Sequence, residues 1–287
     1  MSLQTRSIVD FLDAAPDVDV RATWEAYWAT LTAMRDRLLA RFPGAQRHPS
    51  CADHESYEAG TFEGSLTTWT GGGVDWMVHS WIGNRTGSIL DMNITVWLDQ
   101  AVDVPHLAIV FGTVPQVFHY SDFLARRDLA LCPDYLNRWY EPENRHFLEF
   151  RGDERFTPAV SHGLHTRAVL SPVGHSYSAE RTDEVVDAVQ AYALARFERW
   201  LAMVDAAEPV PEAERATLRA RDRRLRVLTY TLDPMNALAT RAMGAETAGR
   251  LVALRYGKAQ LDESATAADV DSAADEIENT ETEEDAG

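Results

Sequence analysis

The sequence has one lysine, Lys258, two cysteines, Cys51 and Cys132, and no apolar run long enough to span a bilayer, which takes about 18 residues. Two cysteines sharing no CxxC or Cys/His spacing exclude a disulfide framework and a structural zinc centre, and they suit a reducing compartment. The opening MSLQTRSIVDFLDAAPDVDV lacks the apolar centre of a secretory signal and is too acidic for a transit peptide, so the expectation is a soluble, cytoplasmic protein without a membrane partner. Phosphate-loop chemistry is disfavoured, because Gly71-Gly72-Gly73 leads from one strand pattern into another and not into a helix. A GxSxG nucleophile elbow is missing too. Against the single lysine stand 26 arginines, a hint of a GC-rich bacterial genome. Basic charge is scarce overall: the net charge is −18. Eleven acidic residues and no arginine fall between Asp262 and Gly287, which leaves about −7 for the preceding chain. Such a body is unsuited to general nucleic-acid binding, which needs clustered cations over phosphates.

What is present is a large apolar fraction, 45%, with 9% aromatics, enough for a substantial core. Trp24, Tyr27, Leu31, Met34 and Leu38 recur at three- and four-residue steps, so residues 22–42 read as an amphipathic helix ended by Pro43-Gly44. From Tyr57 to Phe123 the period becomes two. Five β-rich segments (57–70, 74–83, 89–98, 106–113 and 116–123) are joined by connections too short for parallel crossovers, which predicts a five-stranded antiparallel meander. In the second segment Val74, Trp76, Val78 and Ile82 share one side and Asp75, Met77, His79 and Trp81 the other. In the third, Met92, Ile94, Val96 and Leu98 oppose Asp91, Asn93, Thr95 and Trp97. One sheet face therefore reads as plain core and the other as polar and aromatic, either solvent-exposed or lining a pocket. Helical patterns follow: 134–150 interrupted near Pro142, 182–204 capped by Thr182 or Ser178, then 212–228, a short piece broken at Asp233-Pro234, and a last helix ending near Tyr256-Gly257. Helix, antiparallel sheet, helices is the order of an α/β/α sandwich with helices on both faces of the sheet. The expected domain is 1–258, followed by an acidic, disordered tail at 259–287.

The stretch SDFLARRDLALCPDYLNRWYEP (121–142) carries more charge than a structural loop needs. Its Asp122, Arg127-Asp128-Leu129, Pro133-Asp134-Tyr135-Leu136 and Tyr140 resemble the central segment of red chlorophyll catabolite reductases, within the ferredoxin-dependent bilin reductases. Arg167 with Ser171-Pro172 is similar to a further segment of that family, and Arg221-Asp222, Arg226 and Asp233 to its C-terminal charged helix and the aspartate after it. The likeness runs from about Val74 to Gly257. It implies an α/β/α sandwich holding an open-chain tetrapyrrole between the sheet and the C-terminal helices, with no metal or other cofactor bound intrinsically. Reduced ferredoxin would deliver electrons, and protons would come from carboxylates and a histidine.

Under that resemblance Asp233, His119 and His79 are the candidate proton donors, although Asp233 could equally cap a helix and a lone strand histidine is more often structural. Arg126, Arg127 and Arg167 are candidates for the pigment's propionates, with ordinary salt bridges as the alternative; Asn93, Trp97 and Val110 would line the site. Asp122 is expected to tie down the loop that follows it. Arg219, Arg223 and Arg224 would steer an acidic ferredoxin, unless they merely form a solvated helix face. The three histidines 162, 165 and 175 match no metal signature, so no metal is expected. Val110 departs from the family, whose plant members carry a carboxylate there. The sequence thus leaves open a ferredoxin-dependent reductase of a linear tetrapyrrole, a non-catalytic tetrapyrrole or small-molecule binding protein, and a diverged enzyme of specialised metabolism, as a monomer or homodimer.

Overall fold

In the computed structural model, which describes residues 17–161 and 163–264, the first helix forms where the stripe predicts it. Helix α1 (Arg21–Arg41) buries Tyr27, Thr30, Leu31, Met34 and Leu38 along one side, and Pro43, lacking an N–H, stops it. The sheet follows as β1 (Gln46–Arg47), β2 (Tyr57–Ala59), β3 (Phe62–Gly71), β4 (Val74–Gly83), β5 (Leu90–Leu98), β6 (His106–Thr113) and β7 (Val117–Leu124). Next come α2 (Pro133–Trp139), α3 (Glu141–Arg151), β8 (Thr157–Pro158), α4 (Leu164–Val169), β9 (His175–Ala179), α5 (Asp183–Asp205), α6 (Glu212–Thr231), α7 (Met235–Met243) and α8 (Ala245–Tyr256). All pairings are antiparallel, in the order β1-β3-β4-β5-β6-β7-β9-β8 with β2 on β3. The expected meander is therefore β3 to β7, except that its first segment is not one strand: 57–70 turns back at Gly60, φ +66, into β2 and β3, and the sandwich has helices on both faces. Gly71, Gly72 and Gly73 all take positive φ in the turn between β3 and β4, which is why three glycines sit there.

The faces of β4 are the reverse of the expectation. His79 pairs with Ile94 and Met77 with Val96, so Met77, His79 and Trp81 lie on the face of Met92, Ile94 and Val96. That face is the main core, closed by Tyr27, Leu31 and Met34 of α1 and by Val189, Phe197 and Trp200 of α5. His79 stacks on Trp28 with ring centroids 4.0 Å apart, and a neutral imidazole packs there much as another aromatic would. The ladder slips by one residue between Val74 and Trp76, which sends Val74 to the core and Trp76 to the opposite side.

On that second side Trp76, Val78, Trp97, Ala108 and Leu124 pack with Tyr230 against α6 and α8. The helices are held close at Gly257. It ends α8 at φ +73, and a Cβ there would lie 2.8 Å from the Trp76 ring, while the Trp76 indole donates to the Arg255 carbonyl at 2.9 Å. Helical packing runs past the expected boundary at Lys258: residues 258–264 are helical, and buried Gln260 accepts from Arg226 at 2.7 Å. The remaining acidic stretch lies outside the described residues.

An internal ion cluster bolts α6 to the sheet. Fully buried Arg126 donates from Nε and Nη2 to Asp222 Oδ2 at 2.9 and 2.7 Å, and to the carbonyls of Val102 and Asp99 at 2.5 and 2.7 Å. His106 Nδ1 accepts from the Leu98 N–H at 3.0 Å, so its proton sits on Nε2, 3.4 Å from Asp222 Oδ1. Burial would raise the Asp222 carboxyl, but His106 and Arg126 outweigh it and hold it below its ordinary range. Asp222→Asn leaves a buried guanidinium without its counter-charge, and urea unfolding should show a loss of about 3–5 kcal/mol. A paired Arg126→Met, Asp222→Leu variant should recover most of it.

Candidate functional site

The central strands carry residues that a closed sandwich would bury. Asp91, Val110 and Tyr120 lie on β5, β6 and β7, on the side facing α6 to α8, and each stays only half-buried. Asn93 pairs with Val110, Val110 with Tyr120, and Asp91 with Gly112, so these positions form one continuous patch in the middle of the sheet. Solvent still reaches all three side chains, so α6 to α8 do not close over this part of the sheet and a cleft remains there.

Its polar groups come from both walls. Asp91 rises from the sheet. Arg255 reaches down from α8 until its guanidinium is 4.0 Å from the Asp91 carboxylate, with its carbon 5.3 Å over the Tyr230 ring. Asp233 lies in the connection between α6 and α7, where its Oδ1 accepts from the Met235 N–H at 2.9 Å. The helix itself begins at Met235 with Pro234 as its N-cap, so Asp233 is not the expected cap; its bond closes a turn just ahead of the helix and uses one oxygen of the carboxylate.

The environment shifts both acids in one direction. Asp91 keeps 32% of its side-chain surface exposed, yet loss of solvation dominates and raises its carboxyl, opposed by Arg255 and reinforced by Asp233. Asp233 is raised by burial as well, against the Met235 N–H and Arg255. Tyr57, from β2, feels the same surroundings: burial lifts its hydroxyl to about 12. Two carboxyl groups held toward the neutral form, one arginine and several aromatic walls suit a flat, conjugated, anionic guest and can supply it with protons.

The remaining expected site residues separate cleanly. Val110 lines the cleft, whereas Asn93, its neighbour on β5, is buried and donates to Ser80 at 3.0 Å. Trp97 is buried at its end, against His106 and Tyr230. His79 and His119 lie on the core face, with the sheet between them and Asp233; His119 sits between Phe111 and Tyr192, its Nδ1 at 3.0 Å from the Val110 carbonyl. Neither reaches the cleft. Arg126 spends its donors on Asp222 and backbone carbonyls and has none for a ligand. Arg127 is a surface residue paired with Glu214 and Asp103. Arg167 is exposed and donates to the Ser161 carbonyl, but Gly163, at the start of its helix, packs against Pro234 and so sets α4 beside the Asp233 turn. Of the α6 arginines, Arg219 and Arg224 are exposed, whereas Arg223 turns inward to Asp75 at 3.1 Å. Asp122 is fully buried and ties down not the next loop but the one before β9, through the Ser171 N–H and hydroxyl at 2.9 and 2.5 Å. His175 lies in the core on β9 and His162 outside the described residues; among the described residues no three ligand-type side chains cluster for a metal. Sequence reasoning missed Asp91 and Arg255 as site residues. Their only sequence signal was that Asp91 shares a strand face with Asn93 and Trp97.

Three comparisons bear on this geometry. The family model for red chlorophyll catabolite reductase (RCC reductase) matches residues 29–255. The rice protein (Oryza sativa subsp. japonica) red chlorophyll catabolite reductase 1, chloroplastic, is 27% identical over 260 residues, 83% of this chain and 78% of its own. Red chlorophyll catabolite reductase of Hordeum vulgare is 27% identical over 198 residues, 63% of this chain and 95% of its own. Tomato phytochromobilin synthase, solved in complex with biliverdin, shares the fold with a TM-score of 0.64 at 13% identity, over 74% of this chain and 76% of that one. With the helix-sheet-helix order, the cleft and a match across most of its length, the chain belongs to the red chlorophyll catabolite reductase family.

Proposed function

We propose that the protein reduces an open-chain tetrapyrrole held between the central strands and α6 to α8, with electrons from ferredoxin and protons from Asp233 and Asp91. The tetrapyrrole reductase activity rests on the family. The observation that carries the chemistry is a pair of partly exposed carboxyl groups, Asp91 on the sheet beside Arg255 and Asp233 in the turn after α6, both raised by burial. Asp91 also offers an answer to the valine at 110. It lies on the adjacent strand and the same face, diagonal to Val110, a separation of about 7–8 Å in a β ladder. A carboxyl one diagonal step away can protonate a neighbouring part of the same extended pigment.

Electrons would enter from outside, with no resident cofactor. Exposed Arg219 and Arg224 on α6, with Arg221 beside them, present positive charge on a protein of net charge −18, a suitable landing place for an acidic donor. No helix among the described residues is long and apolar enough to cross a membrane. The two cysteines are free, consistent with the reducing cytoplasm we propose.

Val110 also favours a second reading, in which the pigment is bound and not reduced. Anaerobic mixing with biliverdin or red chlorophyll catabolite, followed by reduced ferredoxin, separates the two. Reduction predicts a shift of the visible bands on mixing and their progressive loss after ferredoxin is added. A shift that persists unchanged through that addition would establish binding alone.

A further inference from the structure

Among the described residues, Arg255 is the cleft's incompletely satisfied cation. Its Nε is buried with no hydrogen-bond partner, its side chain retains 25% exposure, and its nearest acid, Asp91, stands 4.0 Å away, beyond hydrogen-bond reach. Among the described residues no side chain donates a hydrogen bond to Asp91. Arg196, Arg223 and Arg226 also have an unpartnered Nε, but each hydrogen-bonds through a terminal nitrogen: Arg196 to the Val173 carbonyl at 2.9 Å, Arg223 to Asp75 at 3.1 Å, and Arg226 to Asp75 at 2.8 Å and Gln260 at 2.7 Å. A guanidinium presents five donors in a planar fork matched to a carboxylate. One left loosely paired on a recess wall, stacked over Tyr230, has room for an acceptor from outside.

We propose that Arg255 is the carboxylate receptor of the cleft, and that a substrate carboxylate seated on it releases Asp91 from its ion pair so that Asp91 takes up a proton as the substrate binds. The inference deepens the tetrapyrrole reading and rests on it. The charged and titratable groups facing Asp91 are Arg255 from α8, Asp233 from the connection after α6 and Tyr57 from β2. Of these, Arg255 alone holds the carboxylate ionised, and Asp233 pushes toward protonation. Engaging Arg255 with another anion removes the stabilising partner and leaves the repulsive one. The proton comes from bulk solvent and ends on an Asp91 oxygen.

The test compares biliverdin with its dimethyl ester, in wild type and in Arg255→Gln and Arg255→Lys variants, by visible absorbance and by calorimetry in two buffers of different ionisation enthalpy. Wild type should bind the diacid about tenfold or more tighter than the ester, with uptake of close to one proton for the diacid only. Arg255→Gln should lose that preference while keeping ester affinity within about threefold, and Arg255→Lys, a point charge without the fork, should fall between. Equal affinity of wild type for the two pigments overturns the proposal and leaves the tetrapyrrole reading standing, and this comparison holds even if a variant fails to fold. Preference without proton uptake overturns the link to Asp91. If neither pigment perturbs the spectrum of wild type, the tetrapyrrole reading and the receptor fall together.

Discussion

Asp233→Asn is expected to lower single-turnover reduction of a bound tetrapyrrole about 10²- to 10⁴-fold, the span that a general acid contributes, while pigment binding stays within a few-fold of wild type. The substitution isolates the proton. The asparagine amide oxygen accepts as the carboxylate does and asparagine favours the same turn, so the contact to the Met235 N–H survives and the melting temperature should hardly move. A role limited to closing that turn would leave the rate intact, and that result would remove Asp233 from the chemistry. Asp91→Asn should be comparably damaging if the two acids serve different positions on the pigment, and a double variant no worse than the slower single would mean that both act in one rate-limiting transfer. The pH dependence has a defined sign. Both carboxyl groups are raised above their ordinary range, Asp91 and Asp233 each mainly by burial. A donor must be protonated, so the rate is retained at low pH and falls as pH rises through those elevated values. In the Asp233→Asn variant the limb belonging to that group disappears.

Much of this arrangement is legible in the chain, and what is not has physical reasons. The period-two runs and short connections specify β3 to β7, and Thr182 marks its helix, with the hydroxyl accepting from the Val185 N–H at 3.3 Å. The break expected near Pro142 falls at Tyr140, because proline fits the first turn of a new helix, α3. β9 was hidden among histidines, although His175, Tyr177 and Ala179 alternate inward with Ser176 and Ser178 between them. The β4 faces misled because a histidine reads as polar, while a neutral imidazole stacked on Trp28 behaves as an aromatic core residue. The arginine doublet at 126 and 127 misled differently. Adjacent residues on a strand's exit point opposite ways, and only the fold brings Asp222, 96 residues later, to meet the inward one. Arg255 and Asp91 are remote in sequence for the same reason: no local pattern encodes a contact across a cleft.

Acid should unfold this protein earlier than its carboxylates alone predict. His79, His119 and His106 are driven down to about 3, about 3 and about 4, each chiefly by burial, and His175 is lowered further by burial and then by the charge of Arg196. All four stay neutral in the native state at mild acidity, whereas in the unfolded chain each binds a proton below about pH 6.5. The unfolded state then holds more protons, so the stability these groups contribute is complete above that pH and is lost as pH falls toward the native values. Each histidine costs about 1.4 kcal/mol per pH unit across that window, and four together reach about 5 kcal/mol per unit against a typical total of about 5–15. Asp91, Asp122 and Asp233, raised in the native state, take up protons there first and offset part of the loss nearer the carboxylate range. Thermal melting followed from pH 7.5 to 4.5 should therefore show a steep fall beginning near pH 6 and cooperative unfolding about one to two units lower. His79→Phe keeps the stack on Trp28 and removes one titrating group, so its stability should decline with a slope about 1.4 kcal/mol per pH unit shallower than wild type. A flat stability profile between pH 7 and 5 would mean that these imidazoles are protonated in the folded protein, which the aromatic packing around His79, His119 and His175 could not accommodate.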